Sequence, residues 1–267
     1  MMNIIRADIY AILRGKALYI TFGLIFLLVS LVVGAQAANG VNIGINLASI
    51  DEVGVVMPDI EFDGMRSVTL LYTQMNNMIW FLLPLILVAS APTFTHGTIK
   101  NDIAWGVSRA KLYFAKLIIA IGLCVLMVLF YMGVGMALAT ALFGWGGAAS
   151  DGFWLNVFQT LSAQTFMLIA LTCIGIFCVF TFRRTSIVNG IYIAFCLVPT
   201  MVILLLVDVN PNVARLLDFD VMLGISRLGF LSQLETSAIL TTLGVGVFYI
   251  FAATIGGIAL FKRTELK

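Results

Sequence analysis

Residues 117–143 read LIIAIGLCVLMVLFYMGVGMALATALF, a run without a single charged side chain. The hydrocarbon core of a bilayer is about 30 Å thick, so a helix rising 1.5 Å per residue crosses it with roughly 20 apolar residues. This stretch exceeds that length. Lipid offers no partners to backbone N–H and C=O groups, so only helices and closed barrels span it, and long uninterrupted apolar runs of this kind mean helices. The reading is a transmembrane helix.

Five further runs satisfy the same test, over 17–38, 72–92, 153–182, 187–207 and 239–261. With 61% hydrophobic and 10% charged residues, and a mean hydropathy of +1.09, water is not the chain's main solvent. The expected fold is an all-α integral membrane domain covering 1–267, with six transmembrane helices. The third and fourth runs are longer than a bilayer requires, which implies tilt or extension into an interfacial turn. Cys124, Cys173, Cys178 and Cys196 all fall inside apolar runs without a CxxC, as small hydrophobes do, and the single His96 has no sequence neighbour to share a metal with.

A net charge of +2 hides a strong asymmetry. In a six-span arrangement, the side holding both termini collects twelve Lys and Arg and three acids, whereas the other collects three Arg and ten acids. Basic residues are retained in the cytoplasm, so both termini are expected there, in a bacterial cytoplasmic (inner) membrane. A cleaved signal peptide is the competing reading of the start, because the apolar run from Leu18 to Val33 is followed by Ala35-Gln36-Ala37. The long apolar region and the helix-like residues before it favour a retained span.

Between the spans the chain has four segments of its own character. Residues 1–16 place Met2, Ile5, Ile9 and Ile12 at helical spacing, with Arg6, Tyr10 and Arg14 on another face. This is an amphipathic helix lying on the membrane, as an anchor or as a contact surface for a cytoplasmic partner. The loop from Asn39 to Leu71 gathers Asp51, Glu52, Asp59, Glu61 and Asp63 without the spacing of a calcium loop and reads as a solvated external loop. Gly144 to Gly152 is short and glycine-rich, making spans three and four a tight antiparallel pair. Asp208 to Ser237 holds a moderately apolar stretch from Phe219 to Leu234, too short and polar to span, which predicts a re-entrant or interfacial segment between spans five and six.

The loop at 93–116 is the most informative. Pro92 ends or bends span two, Thr98 can cap a short helix through Trp105, Gly106 can terminate it, and Ser108 can cap the helix leading into span three. A short stiff helix held between two spans transmits displacement, and Lys100, Asp102 and Arg109 are its polar handles. No GxxxxGK[ST] loop occurs, so this chain holds no ATP or Mg²⁺ by such a loop, and any ATP hydrolysis belongs to another subunit.

Gly97-Thr98-Ile99-Lys100-Asn101, then Gly106-Val107-Ser108-Arg109, then Lys116, resembles the first cytoplasmic loop of ABC-2 type permeases, and the tail from Phe261 to Lys267 is similar to that family's short basic end. The likeness is nearest to the branch associated with bacitracin resistance and lantibiotic immunity. Family members often carry an acid where this chain has Thr93. The resemblance implies a non-enzymatic transport subunit of an exporter working on an amphipathic peptide, antibiotic or lipid-like molecule. It places ATPase coupling on Gly97, Thr98, Ile99, Lys100, Asp102, Ile103, Trp105 and Arg109, and a connecting helix with partner contacts at Arg6, Tyr10 and Arg14. Its partners would be cytoplasmic ABC ATPase subunits and a second permease, identical or sister, with membrane lipids around them and no nucleic acid.

The spans themselves are chemically quiet. None has a charged residue near its centre, so the relay of an ion-coupled carrier is missing, and an externally powered pump with an apolar or amphipathic cargo is favoured. Gln74, Asn76, Asn77, Trp80, Gln159 and Gln164 are the polar and aromatic candidates for a substrate pathway, with interhelical hydrogen bonding as the alternative. Ala252, Ala253, Gly256 and Gly257 permit close packing of span six. Paired Asp, HExxH and Ser/His arrangements are absent from the spans, which weighs against an intramembrane enzyme. The rival reading is a non-transporting membrane sensor or scaffold for a cytoplasmic signalling partner.

Overall fold

The computed structural model describes residues 2–39, 64–95, 107–147, 152–207, 211–231 and 234–263. These form α1 (Met2–Arg14), α2 (Lys16–Asn39), α3 (Gly64–Thr73), a 3-10 turn (Met75–Asn77), α4 (Met78–Thr95), α5 (Arg109–Phe143), α6 (Phe153–Phe182), α7 (Thr185–Val207), a 3-10 segment (Pro211–Phe219), α8 (Val221–Leu228) and α9 (Thr236–Arg263). No strand occurs among the described residues. Five helices, α2, α5, α6, α7 and α9, are long and apolar enough to cross a membrane, and α3 with α4 makes a sixth if that bent pair is one span. The chain is a multi-pass membrane protein by length and composition.

The second span departs from the expected continuous helix over 72–92. It begins at Gly64, inside the stretch read as external loop, breaks at 74–77 and turns by 53°. The break falls on Gln74-Met-Asn-Asn77, where the short polar side chains of Asn76 and Asn77 compete with the backbone ladder. Within it the Asn77 amide Nδ2 donates to Gln74 Oε1 at 3.3 Å. The other spans match the expected runs within a few residues except α5, which starts at Arg109 rather than 117. Ser108 caps it as expected, its Oγ accepting from the Lys111 N–H at 3.4 Å. The α5–α6 connection turns through Gly144 and Gly152 at φ 76° and 86°, a region where a Cβ is strained.

The helix α6 is central: 67% of its most apolar window is buried, against 17% for α7 and 22% for α9. Around it, large side chains such as Leu129, Phe158, Leu205 and Phe251 face outward, the surface a bilayer covers. The two ends of the bundle are chemically distinct. Asp8 joins α1 to the start of α5, and Arg109 joins that start to the last turn of α9, so these three lie together at one basic end. At the opposite end the Gly64 N–H donates to the Gly144 carbonyl at 2.9 Å, and Trp145 stacks on Trp154 with ring centroids 5.6 Å apart.

Candidate functional site

At the basic end, Arg109 opens α5 and its Nη1 donates to the carbonyls of Phe261 at 3.1 Å and Lys262 at 2.9 Å. The last carbonyls of a helix have no intrahelical donor and carry the negative end of its dipole, so a guanidinium there satisfies both needs. One turn on, Tyr113 donates to the Ala253 carbonyl at 3.3 Å, and its ring meets Phe180, which in turn meets Phe261. Gly257 makes room for Tyr113: a Cβ at this position would lie 2.7 Å from ring carbons. Of the small residues of span six, Ala253 and Gly257 thus meet Tyr113 of α5, while Gly256 faces Phe177 of α6. Gly257→Ala should cost about 1–3 kcal/mol by overpacking. Gly256→Ala, whose nearest neighbour is Phe177 at 3.5 Å, should be neutral or slightly stabilising; thermal unfolding in detergent separates the two.

The first helix α1 sits against α5 and presents Arg6, Tyr10, Leu13 and Arg14 outward, with the Arg14 guanidinium 4.8 Å above the Tyr10 ring. Ile12 is buried and Ile5 packs on the core, but Ile9 is 44% exposed, so the inward face is narrower than the fourfold isoleucine and methionine spacing implies. Lys116, which the sequence places in the loop, lies two turns inside α5, buried, with its ammonium 2.8 Å from Asp8.

A second polar locus forms at the break in the second span. Ending α3 frees carbonyls, and two side chains from other helices satisfy them: Tyr131 of α5 donates to the Leu71 carbonyl at 3.2 Å, and Gln164 of α6 donates to that of Tyr72 at 2.8 Å. The same Gln164 amide donates to the Ile225 carbonyl of α8 at 3.1 Å, while its Oε1 is buried without a partner. Gln74, Asn77 and Gln164 are therefore brought together with Asn76 around the kink. Trp80 lies a turn into α4, half-buried, and Gln159 is exposed on α6 apart from the cluster.

The third locus is absent from the sequence-based candidates. The 3-10 segment and α8 bring Asp220 between α7 and α9, where it is 7% exposed. Its Oδ1 accepts the N–H groups of Met222 at 2.8 Å and Leu223 at 3.1 Å, capping α8, and its Oδ2 accepts the Thr200 hydroxyl. Tyr249 of α9 donates to the Phe219 carbonyl at 3.2 Å. Cys196 and Tyr249, at the midpoints of α7 and α9, border the same cavity as Asp220, and Thr200 lies about two turns inside the end of α7, so this segment turns in among the spans rather than lying along their ends. A carboxylate counted with an external loop is thus buried between α7 and α9. An acid directly before an apolar run is a helix N-cap signal and marks Asp220; nothing in sequence pairs it with Thr200, twenty residues earlier.

Compared with known proteins, the chain matches no family model and no curated sequence. The likeness to ABC-2 permeases rests on the residues of the 93–116 loop and of the basic tail, within the six-span plan. Of the residues to which it assigns ATPase coupling, Gly97, Thr98, Ile99, Lys100, Asp102, Ile103 and Trp105 lie outside the described residues, and Arg109 lies within them. No group of His, Cys, Asp or Glu suited to a metal ion occurs among the described residues.

Proposed function

We propose that this chain is the permease subunit of an ATP-driven ABC exporter in the bacterial cytoplasmic membrane, with both termini cytoplasmic. Its cargo is an amphipathic peptide, antibiotic or lipid-like molecule, and separate ATPase subunits hold the ATP and Mg²⁺. The observation that carries the reading is the joint at the basic end. The segment 96–106 runs directly into α5, whose first residue, Arg109, is bonded to the last turn of α9. A displacement delivered to that loop by a cytosolic partner acts on α5 and α9 together, and α9 reaches the re-entrant segment through Tyr249. The exposed Arg6, Tyr10 and Arg14 on α1 lie at the same end and supply a second contact. The segregation of basic residues supports the orientation.

The test is co-purification with ATPases encoded in neighbouring genes. An ATPase should be retained by the intact chain and lost when residues 98–105 are scrambled. Capture of none, or capture unchanged by scrambling, overturns the reading.

A further inference from the structure

Between α7, α9 and the start of α8 lies a cavity of about 30 Å³, bordered by Asp220, Phe195, Cys196, Pro199, Phe219 and Tyr249. Its chemistry is that of a cation site. Asp220 forms no ion pair among the described residues; the nearby Arg227 is committed to Asp218 at 2.5 Å. The amides of α8 offset part of the carboxylate charge, since a helix N-terminus carries about half a positive charge, and a net negative charge remains. Pro199 has no N–H to offer the carbonyl of Phe195 one turn earlier, which leaves that carbonyl free to accept. Three aromatic rings complete the wall, with Phe195 and Tyr249 edge to face at 5.9 Å, and ring faces attract cations. Phe219 is 56% exposed, at the mouth.

Hydrogen-bond donors select among cations. An –NH₃⁺ group brings three donors to the Asp220 carboxylate and the Phe195 carbonyl, whereas a trimethylammonium brings none. Surroundings select the rest of the ligand, because a group reaching in among apolar helices must carry an apolar body.

We propose that this cavity binds the primary ammonium head of an amphiphilic molecule, with Asp220 as its counter-ion and the three rings around its stem. As a statement about cargo this rests on the exporter reading; as a binding site it does not.

The chain in phosphatidylcholine nanodiscs is dialysed against radiolabelled dodecylamine, with empty discs subtracted. Saturable binding is expected, with neutral N-dodecylacetamide and dodecyltrimethylammonium competing about tenfold more weakly, a difference of about 1.4 kcal/mol. Asp220→Asn keeps an N-cap of equal rank and should weaken dodecylamine about tenfold, whereas Asp218→Asn should not. Absence of saturable binding, equal competition by the acetamide, or unchanged affinity in Asp220→Asn overturns the proposal. Loss of dodecylamine binding in phosphatidylethanolamine discs assigns the ammonium to a lipid headgroup, and retention assigns it to a free amine. Amine binding without ATPase capture removes only the pump reading, and ATPase capture without amine binding removes only this site.

Discussion

Lys116→Met should lower the stability of the folded chain by about 3 kcal/mol, read as a fall in the thermal midpoint in detergent. Lys116 is 4% exposed and its ammonium lies 2.8 Å from Asp8, whose second oxygen is buried without a hydrogen-bond partner. Removing one member of a buried pair leaves the other charge uncompensated, at a cost of about 3–5 kcal/mol. The Asp8 side chain keeps 23% of its exposure, so solvent relieves part of that cost and the lower end applies. The double variant Asp8→Asn, Lys116→Met should return close to wild type, because replacing both charges removes the desolvation penalty with the attraction. Hydrogen exchange should show α1 opening in the single variant and protected in the double one. A single variant as stable as wild type would mean the pair does not hold α1 to α5, and would detach Arg6, Tyr10 and Arg14 from the argument for a contact surface.

Gln164→Leu should cost about 2 kcal/mol, and Gln164→Glu more. The glutamine amide serves the carbonyls of Tyr72 and Ile225, and leucine leaves both without that donor in the bundle interior. An unsatisfied buried acceptor costs about 1–3 kcal/mol, while interhelical bonds in membranes average about 0.6 kcal/mol, so two lost bonds give about 2 rather than about 6. Losing the unpartnered Oε1 returns a little of that. Glutamate is worse because a carboxylate sets negative oxygens against two carbonyl oxygens. If thermal stability is unchanged while transport falls, Gln164 contacts cargo; if stability falls as expected, it holds the kink in the second span to α8. The geometry favours the second role, which also accounts for a polar side chain at the centre of the most buried helix.

The polar candidates illustrate what a sequence can and cannot separate. Gln74, Asn76, Asn77 and Gln164 stand out because amides are costly in lipid, yet a glutamine that meets cargo and one that closes a broken helix are the same letter. The break itself had a local cause, a run of residues that compete with the helix ladder, and its signal lay in residues 74–77. Nothing local pairs the break with Tyr131 and Gln164, which lie about sixty and ninety residues downstream. Ser108 as a cap was legible because capping is a property of four consecutive residues.

Length and composition alone determine that this is a helical membrane protein, because the thickness of hydrocarbon and the absence of backbone partners in lipid act on each run separately. They place the short segment between spans five and six for the same reason: it is too short to cross. Only the tertiary structure decides that this segment turns inward, that Asp220 meets Thr200 between the spans, and that Lys116 is a buried partner of Asp8 rather than a loop charge. Those facts depend on pairings between distant residues, where the cost of burying a charge is set by what another helix brings to it, and no local pattern records that.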